Sequence, residues 1–149
     1  MKYISYEGII KTHDNLIRDI GGDYGIRDDE LLRYSVEAPS QEVFGVELYP
    51  SIFDKAAKLA ESFAKYQIFY DGNKRIGAAS CVMMLKLNGY ELDLSNQELY
   101  DMTMKIANDK DFEWKQISKY LENHSKEIEF AEFQKDLEAY SIGGEHHEV

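Results

Sequence analysis

Residues 67–75 read Gln67-Ile68-Phe69-Tyr70-Asp71-Gly72-Asn73-Lys74-Arg75. On one side lies a run with apolar residues at helical spacing: Ile52, Ala56, Leu59, Ala60 and Phe63. On the other side the spacing resumes at about Asn73 and continues through Ile76, Ala79, Ser80, Met83 and Leu87, to a stop at Asn88-Gly89. Asp71-Gly72 interrupts the two, because glycine accepts backbone conformations that end helices. The stretch is therefore predicted to be a helix, a tight bend and a second helix. Ser51 and Asp54 have the S-x-x-D spacing of a capping box and mark the start of the first. Gly77, Ala78, Ala79 and Ser80 are small enough to let a neighbouring helix come close.

Helical spacing holds outward from this pair. Ser5 opens a predicted helix with Ile9, His13, Leu16, Ile17 and Ile20 on one face, and Gly21-Gly22 ends it. Asp28 caps a short helix with Leu31, Leu32, Ser35 and Val36, which Pro39 stops. Residues 39–50 read as an irregular connection, with Phe44, Val46 and Leu48 available to pack. Ser95 and Glu98 form a second capping box before Leu99, Met102 and Ile106, and a further helix carries Trp114, Ile117, Tyr120 and Leu121. No convincing strand pair or internal repeat appears, so the expected fold class is all-α.

The composition limits the partners. The 149 residues carry a formal charge of −11, opposite to the bias that grips a nucleic-acid backbone or an anionic membrane. Direct nucleic-acid binding and membrane binding are therefore not expected. No apolar run reaches the ~18–20 residues of a membrane helix. The single cysteine, Cys81, excludes an internal disulfide and fits a reducing, cytoplasmic setting. Charge is also uneven. Residues 126–149 hold seven carboxylates against two lysines, and Phe130, Phe133, Leu137 and Tyr140 form one apolar stripe. This predicts a separate acidic amphipathic helix over 125–149.

The nine-residue stretch also has chemistry. Free amides at the start of a helix, with the positive end of its dipole, favour an anion. Lys74 and Arg75 add cationic donors in the same turn, and the Asp71 carboxylate suits magnesium. Together these describe a site for a nucleoside triphosphate with its metal. A plain turn followed by a solvated helix start accounts for the same residues.

The stretch resembles the signature of the Doc (death-on-curing) branch of the Fic family, H-x-F-x-D-x-N-K-R, matching at Phe69, Asp71, Asn73, Lys74 and Arg75. The resemblance extends to Tyr3-Ile4-Ser5, His13-Asp14, Gly25-Ile26-Arg27-Asp28, Phe44-Gly45, Tyr49-Pro50, Lys55-Ala56-Ala57 and Leu87-Asn88-Gly89-Tyr90. It covers about residues 1–124, leaving 125–149 as an extension. It implies a compact helical Fic fold that binds ATP and magnesium. Most Fic enzymes transfer the AMP part of ATP and carry glycine after the asparagine. The Doc branch carries lysine there, as Lys74 does here, and transfers the γ-phosphoryl group to a threonine hydroxyl of elongation factor Tu. The branch also implies a toxin held in check by a Phd-type antitoxin. By position, Asp71 would ligate magnesium, Gly72 and Asn73 would cradle phosphate, and Lys74 and Arg75 would neutralise developing charge. Phe69 is expected to pack and fix the loop.

Where the resemblance expects the histidine that acts as general base, this chain has Gln67. A carboxamide can orient a hydroxyl but cannot hold its proton. Gln67 thus leaves open a weakened kinase and an inactive binding module. His13 lies on its helix's apolar stripe and is expected to be a satisfied core histidine, not a replacement base.

Overall fold

The computed structural model describes residues 1–129 and 134–135. Six helices dominate it: α1 (Tyr6–Ile20), α2 (Asp29–Glu37), α3 (Ile52–Lys65), α4 (Asn73–Leu87), α5 (Asn96–Asn108) and α6 (Trp114–Asn123). The caps follow from the sequence. Ser5 accepts from the Gly8 amide, Asp28 from Leu31, and both predicted capping boxes are closed, at Ser51/Asp54 and Ser95/Glu98.

α3 is the axis of the molecule. Its apolar stripe is buried as the spacing requires, but so are Lys55, Lys58, Glu61 and Ser62, because other elements wrap it on all sides. Lys55 donates to the Pro39 carbonyl (3.0 Å) and to Glu47 (2.9 Å). Lys58 pairs with Glu61 at 3.0 Å, and the second Glu61 oxygen accepts the Trp114 amide at 2.7 Å. That carboxylate thereby satisfies an orphan donor at the start of α6. Burial pulls the Lys58 ammonium down, but Glu61 outweighs it and leaves it above the usual lysine value. α4 crosses α3 at Gly77, where an added Cβ would stand 3.3 Å from the Ala60 carbonyl oxygen. The predicted close approach is thus made by Gly77, with Ser80 and Cys81 buried on the same side. Burial pushes the Cys81 thiol up to about 12, which makes it unreactive.

Three expectations change. Strands are present: β1 (Glu42–Val43) pairs antiparallel with β2 (Val46–Glu47), and β3 (Tyr90–Leu92) with β4 (Ser125–Glu127). Both pairs are too short for alternation to show in the sequence. Phe44 and Val46 do not pack. Phe44 and Gly45 have φ of 51° and 79°, the two positive values of a type I′ hairpin turn, and this leaves Phe44 fully exposed. Third, Ala79 and Met83 are only half-buried, since the buried face of α4 runs through Ile76, Gly77, Ser80, Cys81 and Met84.

The helix predicted over 125–149 begins instead with β4, and Phe130, Phe133, Leu137 and Tyr140 lie outside the described residues. No helix among the described residues is long and apolar enough to cross a membrane.

Glu61→Ala should lower stability by about 3 kcal/mol in chemical denaturation, because it leaves both the Lys58 ammonium and the Trp114 amide buried without a partner. An unchanged denaturation midpoint would mean that the pair contributes nothing.

Candidate functional site

The bend between α3 and α4 is fixed from three directions. From within, the Asn73 carboxamide bonds twice to the Phe69 backbone: Phe69 N–H donates to Oδ1 and Nδ2 donates to Phe69 O, both at 2.9 Å. From below, His13 is 1% exposed and stacks on the Phe69 ring with centroids 3.7 Å apart and planes 8° apart. Its Nε2 donates to the Asp71 carbonyl at 2.7 Å, and its Nδ1 lies 3.3 Å from Asp14 Oδ1. From the side, residues 25–28 lie along the stretch. Arg27 and Asp28 amides donate to Ile68 O, Tyr70 N–H donates to Gly25 O, and Ile26 bridges Phe69.

Gly72 caps α4 with φ +78°, the left-handed region, and an added Cβ would lie 3.1 Å from Ile17 Cδ1 and 3.3 Å from His13 Nε2. No side chain caps this helix start, so its first amides remain available.

The predicted site residues converge here with different commitments. Lys74 is exposed and makes no side-chain bond to a described residue. Arg75 is half-buried, and its Nη1 donates to Gly21 O at 2.8 Å. Asp71 Oδ2 accepts the Asp23 amide at 3.1 Å. The Asn73 side chain bonds twice to the Phe69 backbone and turns its other Nδ2 hydrogen toward Gln67, so what it offers a ligand is its backbone amide. Gln67 is exposed, with its backbone carbonyl held by Arg27 Nε at 2.6 Å and its Oε1 3.5 Å from Asn73 Nδ2.

A cleft of about 900 Å³ opens from this bend. The polar end is lined by Gln67 and residues 70–75; the apolar walls come from Leu16 and Ile20 of α1, Ala78 and Val82 of α4, and Leu99 and Tyr100 of α5. Ala79 and Met83, expected in the core, line it as well. A site with convergent polar groups and apolar walls has the build of a small-molecule pocket.

Sequence reading passed over Arg27 and the 21–25 loop as parts of the site. The loop's signal was its glycine density. At Gly22 (φ +117°) an added Cβ would stand 3.2 Å from Arg75 Nη2 and 3.3 Å from Asp71 Oδ2, so a side chain there would press on both.

The geometry agrees with similarity to known proteins. A model of the Fic/DOC family matches residues 3–85, and the chain belongs to that family. One relative, called Toxin Doc, from Mycolicibacterium smegmatis, is 42% identical over 89 residues, which is 58% of this chain and 68% of that one. Another, called Protein kinase doc, from Escherichia phage P1, is 30% identical over 107 residues, 72% of this chain and 83% of the relative.

Gly72→Ala should cost roughly 1–3 kcal/mol in stability, from the left-handed φ and the crowding against Ile17 and His13. Equilibrium denaturation reads this directly. A loss no larger than that of an alanine substitution on an exposed helix face would contradict the bend described.

Proposed function

We propose that this chain is a Doc-type toxin of a toxin–antitoxin pair. In this reading it acts in the cytoplasm, binds ATP with magnesium, and transfers the γ-phosphoryl group to a threonine hydroxyl of elongation factor Tu, which blocks translation. The observation that carries the reading is the uncapped start of α4, flanked by Lys74 and Arg75, at the polar end of the cleft. The relative called Protein kinase doc supports the choice of phosphoryl transfer.

Phosphoryl transfer asks a protein mainly for positioning and charge stabilisation. The amides of Gly72, Asn73 and Lys74 would receive phosphate oxygens. Lys74 is free to follow the charge as it develops, whereas Arg75 is tethered to Gly21 and acts from a fixed place. Asp71 fits a magnesium ligand: Oδ2 takes the Asp23 amide, and Oδ1 makes no hydrogen bond to a described residue. No group of three or more metal-ligating side chains occurs among the described residues. Magnesium would therefore take its remaining ligands from phosphate and water, as it commonly does. When bound, the ion would neutralise phosphate charge.

The apolar walls of the cleft suit an amphipathic segment of a Phd-type antitoxin, which would block the site by occupying it. Gln67 favours one rival reading, a module that binds ATP without turning it over.

Calorimetry with ATP and magnesium tests binding. Lys74→Ala should weaken it about tenfold, the value of one charge-assisted contact, and Asp71→Asn should remove the gain that magnesium gives. Label should reach elongation factor Tu from γ-labelled and not from α-labelled ATP; the opposite pattern would make the chain an AMP transferase. Wild-type protein that fails to bind ATP would end the proposal.

A further inference from the structure

We infer that Gln67 orients the acceptor hydroxyl and that the transferring phosphoryl group itself receives the hydroxyl proton. The inference rests on reading the site as a centre for phosphoryl transfer from ATP.

The orientation of the Gln67 carboxamide follows from its neighbours. Phe69 N–H can only donate and Phe69 O can only accept, so Asn73 has one possible orientation, Oδ1 to the amide and Nδ2 to the carbonyl. One Nδ2 hydrogen remains. It faces Gln67 at 3.5 Å, and only an oxygen can receive it. Oε1 of Gln67 therefore faces Asn73 with a second lone pair to spare. The backbone below is clamped by Arg27. A relay from the Phe69 backbone through Asn73 thus presents a polarised acceptor at the polar end of the cleft. It can take a hydrogen bond from a substrate hydroxyl, though not its proton.

The proton needs another destination. Among the described residues lining the cleft, the ionisable ones are Tyr70, Asp71, Lys74, Arg75 and Tyr100. Lysine and arginine side chains have no acceptor site, and a phenol offers only the weak acceptor of a hydroxyl, so none of these four is built to take a proton. Asp71 holds the Asp23 amide on one oxygen and is the candidate metal ligand on the other. His13 is buried behind the loop and does not line the cleft, with Nε2 on the Asp71 carbonyl and Nδ1 beside Asp14. What remains is the phosphate.

In the resulting step the acceptor oxygen forms a bond to the γ-phosphorus. The bridging bond to the β-phosphate breaks, and ADP leaves with its electron pair. The hydroxyl proton moves to a non-bridging oxygen of the transferred group, giving a singly protonated phosphomonoester. Loose, dissociative transfer makes this route accessible, since little proton removal is required before the bond forms.

The test compares wild type, Gln67→His and Gln67→Ala with γ-labelled ATP and elongation factor Tu from about pH 5.5 to 8, spanning the imidazole range. Gln67→His should be faster by roughly 10²–10⁴ at the upper end. Its rate relative to wild type should fall about tenfold per pH unit below the imidazole pKa, ionisations of the substrate cancelling in that ratio. Gln67→Ala should be about tenfold slower than wild type, as expected for one lost hydrogen bond, with a pH profile of the same shape. Equal rates for wild type and Gln67→Ala would overturn the orienting role. Transfer by Gln67→His with none by wild type would overturn the inference and leave the kinase reading standing. No transfer by any version would remove both.

Discussion

The site depends on two hydrogen bonds between the Asn73 side chain and the Phe69 backbone. They close the bend that turns the end of α3 into the start of α4, and they leave the first amides of α4 uncapped. Everything nearby reinforces this closure. His13 fills the space beneath Phe69 and ties off the Asp71 carbonyl, Gly72 supplies the left-handed residue, and residues 25–28 pair along the outer edge. Polar groups this committed cannot rearrange cheaply, so the amide cradle is formed before any ligand arrives.

Electrostatics then decides what the cradle attracts. The chain as a whole is strongly acidic, and its long-range field repels polyanions. Lys74 and Arg75 act over short range at the bend, within a chain whose net charge is of the opposite sign. The hydrogen bond from Arg75 to the Gly21 carbonyl holds its guanidinium in place beside the bend.

The helical frame was legible because its signals are local. Ser5, Asp28, Ser51 and Ser95 each cap the helix that the sequence assigns to them, His13 is buried as its spacing requires, and Phe69 packs as expected. The residues that meet at the bend were legible as a list. How each one is used was not, because that is settled by groups distant in sequence: Asp23 on Asp71, Gly21 on Arg75, Arg27 on Gln67. Burial of the charged residues of α3 was hidden for a similar reason. Lys55 and Glu61 find their partners on the hairpin and α6, and no helical pattern announces a lysine that will be enclosed. The hairpin turn at Phe44-Gly45 was missed because an aromatic residue suggested packing, while the positive φ of both residues turns it outward.

The seating of His13 under the loop has a consequence for how portable this signature is. Residues 67–75 contain the groups proposed to face a phosphate, yet the shape of the turn is imposed by the His13 ring, 58 positions before Asp71, and by the strand-like segment after Gly25. A fragment starting beyond residue 28, or the nine residues transplanted onto another helical hairpin, would retain the letters and lose the concavity. The concavity at the bend belongs to the folded domain, since its shape needs the first helix to keep its imidazole in place.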